Sequence, residues 1–400
     1  MLISTLKEIV LATNYALKYF PGTSQESRAK LEAATAGWHR EFYPVNDLTT
    51  DQALYMNVYM KHPKGKRDTL ILKIHGTHGL PEERLGVAKT LSSLEYLLEL
   101  NDDVGFAIIS PYNPYGYSHG QRWDEDGVDL NRAHIDDPNG FADFQHPHEI
   151  KNLLERLQPV IDAKAPLGNR LKELWQYYSQ VFKLIKNGEL EPAIRVVACG
   201  QWSDPSGVFY GGTETPKQAE IMREVIPHLT EGYRQAIVID EHTGLGKGFR
   251  FLPFLPGFLL GRPSYLTNLS SDDPRFLKLK NAFPYLQSTS QQEIGSSRSQ
   301  YPVKGSLLAY IEKYSKAQAT YPIVIDDYTA FIPRVFFALR QQKRAITNPE
   351  TPARKARKAD KRVLRRFGPA NPIQRALSIH TARKDLGTLI KEFNLGKKTY

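Results

Sequence analysis

Short apolar runs rich in β-branched residues alternate along this chain with longer stretches of helical spacing, and no other feature narrows its fold so far. Four runs stand out: Thr69 to Ile74 (TLILKI), Val104 to Ser110 (VGFAIIS), Ala193 to Ala198 (AIRVVA) and Ala236 to Ile239 (AIVI). A fifth, Pro322 to Ile325 (PIVI), comes near the end. Apolar almost throughout and too short for helices, they predict central strands buried on both faces. Residues 87–100, 149–157, 171–185, 216–229, 306–314 and 333–343 carry apolar side chains at i, i+3 and i+4, which predicts helices. Strand and helix in alternation predict an α/β fold, a mostly parallel mixed sheet with helices on both faces. Ligands of such sheets bind just beyond the carboxyl ends of the strands.

Composition narrows the classes. A chain of 400 residues, 41% hydrophobic and 24% charged, has enough apolar surface to build a core. Its single cysteine excludes a disulfide framework and any thiolate-based metal cluster, so a metal would be held by His and carboxylates. The longest apolar run, Phe251 to Leu260, is cut by Pro253, Pro256 and Gly257, far short of the roughly 20 residues of a membrane span. The first twenty residues read as an amphipathic helix with Glu8 inside it, unlike a secretion signal, and predict a cytoplasmic protein. The net charge of +10 is a property of one end: residues 353–400 hold fourteen Lys and Arg against three acids, a net of +11, which leaves −1 for the first 352. The expected organisation is an N-terminal helix over 1–20, a main domain over 21–346, and a basic, mainly helical extension over 347–400. That extension is either a solvated cationic helix or a patch for an anionic partner, nucleic acid or lipid.

Chemistry is expected where the strands end. The Thr69 run leads into His75-Gly76-Thr77-His78-Gly79-Leu80-Pro81-Glu82-Glu83, and the Ala236 run into Asp240-Glu241-His242-Thr243-Gly244. The Pro322 run ends in Asp326-Asp327-Tyr328. Two His and one Glu from separate strand ends are a ligand set for catalytic zinc, which keeps a fourth position open for water. Singly, each is equally a capping or hydrogen-bonding residue.

Several blocks together resemble a known family. Gly76-Thr77-His78-Gly79, Asn113-Pro114-Tyr115-Gly116, the stretch from Arg122 to Arg132 (RWDEDGVDLNR), Gly200-Gln201-Trp202, Phe209-Tyr210-Gly211-Gly212 and Asp240 to Gly246 (DEHTGLG) resemble, in order and spacing, the M14-like zinc carboxypeptidases, in particular the branch called DUF2817. The resemblance covers roughly residues 20 to 345. It implies a zinc-carboxypeptidase-like fold, His78 and His242 as zinc ligands, and Arg122 as the guanidinium that polarises the scissile carbonyl. It implies Asn131 and Arg132 as the pair that binds a substrate carboxylate. A guanidinium's fork suits both tasks; for Arg122 and Arg132 the plainer account is an ion pair with Asp124, Glu125, Asp126 or Asp129.

Two positions depart from the family pattern. The family has His, two residues, then Glu, whereas here Pro81 occupies that place and the first carboxylate is Glu82. Glu82 is therefore expected as the third ligand, with Glu83 and His75 as substitutes. The family's late glutamate, the general base, aligns with Asp327, one methylene shorter; Glu293 is the runner-up. The resemblance then implies a zinc-dependent hydrolase cleaving an amide bond next to a carboxylate-bearing residue, with a peptide or N-acyl amino acid as substrate. The competing expectations are a catalytically degenerate binding protein and a protein acting through its basic tail. Asp240 and Glu241 are expected to orient the His242 ring, or else to be solvent-facing acids.

Overall fold

Along Thr69–His75 (β3), side chains alternate between two cores, the mark of a strand covered on both sides. Leu70, Leu72 and Ile74 enter one cluster with Val58, Ile109 and Val238. Ile71 enters the other, with Phe106, Ile108, Ile237 and Ile323. This computed structural model describes residues 18–46, 53–98, 100–136, 200–202, 204–246, 263–289, 305–328, 332–347 and 372–397, with isolated positions between 175 and 188 and at 361. The strand expected over 193–198, the helix over 149–157 and most of those over 1–20 and 171–185 lie outside the described residues.

The described strands form an eight-stranded mixed sheet in the order β1-β2-β4-β3-β5-β8-β6-β7. They are His39–Pro44 (β1), Tyr55–Lys61 (β2), β3, Val104–Ile109 (β4), Gln235–Gly246 (β5), Ser264–Thr267 (β6), Gln287–Ser288 (β7) and Ala319–Tyr328 (β8). The central pairs β4–β3, β3–β5 and β5–β8 are parallel, as the alternation predicts. β1–β2, β2–β4 and β8–β6 are antiparallel. Ser24–Ala34 is α1, Leu80–Ser93 α2, Pro114–His119 α3, Lys217–Thr230 α4, Pro274–Ala282 α5, Leu307–Tyr314 α6, Ile332–Thr347 α7 and Pro372–Glu392 α8. α4 and α6 cover the Leu70 face, while α5 and α8 cover the Ile71 face. Of the expected basic extension, α8 packs Leu386 and Leu389 into that second core, and residues 353–360 and 362–371 lie outside the described residues. Among the described residues no helix is long and apolar enough to cross a membrane.

Helix α2 begins seven residues earlier than its apolar spacing predicts. Gly79 is its N-cap at φ 71°, and a Cβ there would collide with the Gln121 carbonyl, so the turn requires glycine. Pro81 takes an early position where its missing N–H costs nothing. Glu82 and Glu83 therefore sit in the helix's first turn, their charge favoured by the helix dipole.

The Ile71 face also carries a buried ionic cluster. Lys73 of β3 lies 3.0 Å from Glu241 Oε1, and Lys89 of α2 donates to Glu241 Oε2. Burial alone would raise the Glu241 carboxyl, but Lys89 and then Lys73 hold it at about 2, below its ordinary 4.5. A carboxyl depressed on folding contributes stability that is full above about 4.5 and is lost as pH falls toward 2. Glu241→Gln should therefore cost about 3–5 kcal/mol at neutral pH, because it removes the carboxylate charge that two buried ammonium groups share. Urea unfolding at a series of pH values should also show a shallower acid loss in the variant than in the native protein.

Candidate metal centre

Parallel pairing sets the ends of β3 and β5 side by side, with His75 opposite Glu241. From the end of β3 the chain turns through Gly76 and Gly79, both at positive φ, and brings His78 back toward β5. His78, Glu82 and His242 are all buried, and a ligand atom from each lies within 4.8 Å of the other two. The two imidazoles meet edge to face with centroids 4.8 Å apart. The start of α2 explains how a displaced glutamate reaches: Glu82, the third helical residue, folds back over the helix's open N-terminus, which brings its Oε1 to 2.6 Å from His78 Nδ1. Its two oxygens also accept the backbone N–H of His78 at 2.7 Å and of Thr243 at 3.0 Å.

Glu83 and His75, the expected substitutes, turn away together. Their side chains pair with each other at 3.1 Å, and the Ser110 hydroxyl donates to Glu83. Of the two acids expected beside His242 only Asp240 is there, with Oδ1 3.0 Å from His242 Nδ1. Strand alternation explains the difference: residues 240 and 242 share a face, whereas 241 points to the lysines on the other.

The residue that sequence reasoning missed as part of the centre is Asp129. It caps the 3₁₀ turn Leu130–Arg132 by accepting the Asn131 N–H and has no exposed surface. Oδ1 lies 3.1 Å from His78 Nε2. Oδ2 accepts from Arg122 Nη2 at 2.9 Å and Nε at 3.2 Å. Burial would raise its carboxyl, but Arg122, then His78 and Arg132, hold it well below the usual carboxylate range. The signal in the sequence was a capping aspartate before Asn131-Arg132, legible as an ion-pair partner but not as a partner of His78.

Arg122 thus takes the ion pair that was its plainer account, and its Nη2 stays 2.8 Å from His78 Nε2. Asn131 Nδ2 lies 3.1 Å from His242 Nε2, and its Oδ1 accepts the Leu307 N–H of α6 at 3.1 Å. Arg132 is buried and donates to the Asn131 carbonyl. The Phe209 ring lies between the two guanidiniums, 5.0 Å from Arg122 and 5.6 Å from Arg132. Asp327 enters as backbone only, paired with Thr243 next to His242; Glu293 lies outside the described residues.

The donor set fits a cation. A neutral imidazole carries one N–H, yet His78 faces Glu82 through one ring nitrogen and Asp129 through the other. A neutral ring with its proton on Nδ1 donates to Glu82 while Nε2 accepts from Arg122 Nη2, so what fits a cation is the donor set itself, two imidazoles and one carboxylate with a ligand atom each within 4.8 Å of the others. Burial of Glu82 would raise its carboxyl, but His78, then His242, and Arg122 hold it at about 2, so it is ionised and able to ligate.

Fold and site together define a class: an α/β protein with a buried His–Glu–His cluster beyond the carboxyl ends of its central parallel strands. Residues 20–377 match the family model described as "Protein of unknown function (DUF2817)", and the chain belongs to that family. No curated protein matches it. Among solved structures it is similar to bovine thrombin-activatable fibrinolysis inhibitor bound to tick carboxypeptidase inhibitor, at 12% identity and TM-score 0.45 over 94% of this chain and 99% of that one. It is similar to carboxypeptidase A from Helicoverpa armigera at 10% identity and TM-score 0.40, covering 90% and 80%. A succinylglutamate desuccinylase from a Silicibacter species matches at 13% identity and TM-score 0.38, covering 90% and 68%.

Asp129→Asn should remove the carboxylate that accepts two bonds from buried Arg122, at a cost of about 3–5 kcal/mol in denaturant unfolding. Were His78 to hold a divalent ion, the same variant should bind it about 10- to 100-fold more weakly in competition with a chelator, since a carboxylate behind a ligating His tunes that ligand.

Proposed function

We propose that the protein is a zinc-dependent hydrolase that cleaves an amide bond next to a carboxylate-bearing residue, in a peptide C-terminus or an N-acyl amino acid. The observation that carries this reading is the meeting of His78, Glu82 and His242, which come from two strand ends and a helix turn and are all buried. Bound there, zinc would polarise the scissile carbonyl and lower the pKa of water from about 15.7 toward roughly 7.

The chain's own residues divide the remaining work. Asp129 and Asp240 orient the rings of His78 and His242. Arg122, fixed against His78 by its pair with Asp129, supplies positive charge for the oxygen that becomes negative in the transition state. Its burial strengthens that interaction by excluding water. Asn131 and Arg132 hold the substrate carboxylate. Asp327, whose backbone lies beside Thr243, takes a proton from the attacking water and passes it to the leaving nitrogen.

A binding protein without turnover is the second reading. Asn131 favours it, because its amide is already engaged by His242 and by the Leu307 N–H. Elemental analysis separates the readings from the start: protein purified without chelator should carry about one zinc per chain, and His242→Ala should lose it while staying folded. Asp327→Asn should keep the zinc and lower kcat/KM on N-acyl amino acids by about 100-fold or more. Native protein that retains zinc but hydrolyses neither N-acyl amino acids nor peptide C-termini would establish the binding reading instead.

A further inference from the structure

Lys343 of α7 has no exposed surface, although a lysine is almost never fully buried unless it is paired. Among the described residues its ammonium meets no carboxylate directly. It donates to the Gly127 carbonyl and sits over the ring of Trp123, 4.8 Å from its centroid, and that ring is fully buried as well. Gly127 stands at φ 74°, and a Cβ there would come within 2.7 Å of the Lys343 nitrogen, so both the turn and this approach require glycine. The neighbouring Gln342 donates through Nε2 to the Gly120 carbonyl at 2.9 Å. Two adjacent residues of α7 therefore grip both ends of residues 120–127, the loop that carries Arg122.

Burial disfavours the charge that does the gripping. It lowers the Lys343 ammonium to about 8 from its ordinary 10.5, against the attraction of Asp124, then Asp129 and Asp204. Asp124 is the centre of the same turn: its Oδ1 accepts the N–H of Asp126 at 3.1 Å and of Val128 at 2.7 Å. Burial raises that carboxyl to about 7 in spite of those bonds, and Glu125 and Asp126 add to the effect. A cation kept where the fold disfavours it is a candidate for function rather than for stability.

We propose that Lys343 is a positioning residue: while charged, it clamps the 120–127 loop against α7 and so keeps Arg122 aimed at His78. The part played by Arg122 rests on the hydrolase reading, whereas the clamp on the loop does not. As pH rises through about 8 the ammonium becomes an amine. The amine loses its attraction to the Trp123 face and to the three aspartates, and the loop loosens.

Amide hydrogen exchange on the full chain, corrected for its intrinsic pH dependence, tests the clamp without reference to turnover. In the native protein the amides of residues 120–128 should lose about tenfold in protection between about pH 7 and pH 9, with a midpoint near 8, while those of β3 stay unchanged. Lys343→Met keeps the apolar stem and removes the charge, so its loop should show the lower protection at every pH. On N-acyl amino acids the variant should lose about tenfold or more in kcat with KM within about threefold, the pattern of a misaimed group that acts in the transition state. Its urea midpoint at about pH 7 should be the same or higher, because it removes a charge whose pKa folding depresses. If Lys343→Met fails to fold, the pH dependence of exchange in the native protein decides. Protection over 120–128 that is equal at the two pH values, or unchanged in Lys343→Met, overturns the proposal. So does a variant with native kcat, or one whose kcat falls only together with its urea midpoint. A native protein that hydrolyses nothing yet shows the exchange transition removes the hydrolase reading and leaves the clamp standing.

Discussion

Asp129, a carboxylate with no exposed surface, holds the centre together by serving an imidazole and a guanidinium at once. Charges buried this deeply are tolerated only when paired and hydrogen-bonded, and here each partner is supplied by a different part of the chain. His78 comes from the turn after β3, and Arg122 and Asp129 from the loop between α3 and the 3₁₀ turn. The Asp129 N–H donates to the Tyr210 carbonyl at 2.7 Å, which fixes that loop against the Phe209–Gly212 segment. Remove the carboxylate and His78 loses one of its two carboxylate partners while Arg122 loses the acceptor of two of its hydrogen bonds.

Neighbouring residues with the same charge have been given different tasks by backbone geometry alone. Glu82 and Glu83 are about 100° apart around α2, so one meets the histidines and the other meets His75 and Ser110. Asp240 and Glu241 are on opposite faces of β5, so one meets His242 and the other meets Lys73 and Lys89. In each pair the second acid lies behind the first, and the element that carries the candidate ligand is anchored by its neighbour's buried contacts.

The central strands were legible because burial on both faces writes itself as an unbroken apolar run, as in β3, β4, β5 and β8. β1 and β6 were not. β1 (HREFYP) is half exposed at the sheet edge, and β6 spans only four residues, so neither carries a run long or apolar enough to stand out. β2 (YMNVYMK) is buried across its middle, but Asn57 interrupts the pattern for the sake of its bond to the Ser110 carbonyl. The start of α2 was hidden for a related reason: its first turn is Pro81-Glu82-Glu83, set by Gly79 and by polar contacts rather than by apolar spacing.

What the sequence by itself determined is the alternation that makes the sheet, the strand ends where polar residues collect, and, with the family resemblance, His78, Glu82 and His242 as candidate ligands, because residue type and local spacing are one-dimensional facts. Only the tertiary structure decided that these three meet, that Asp129 rather than an exposed acid stands behind His78 and Arg122, and that Glu83 turns away to Ser110. Those outcomes depend on parallel register and on the direction of side chains from segments tens to more than a hundred residues apart, and no local pattern encodes such distances.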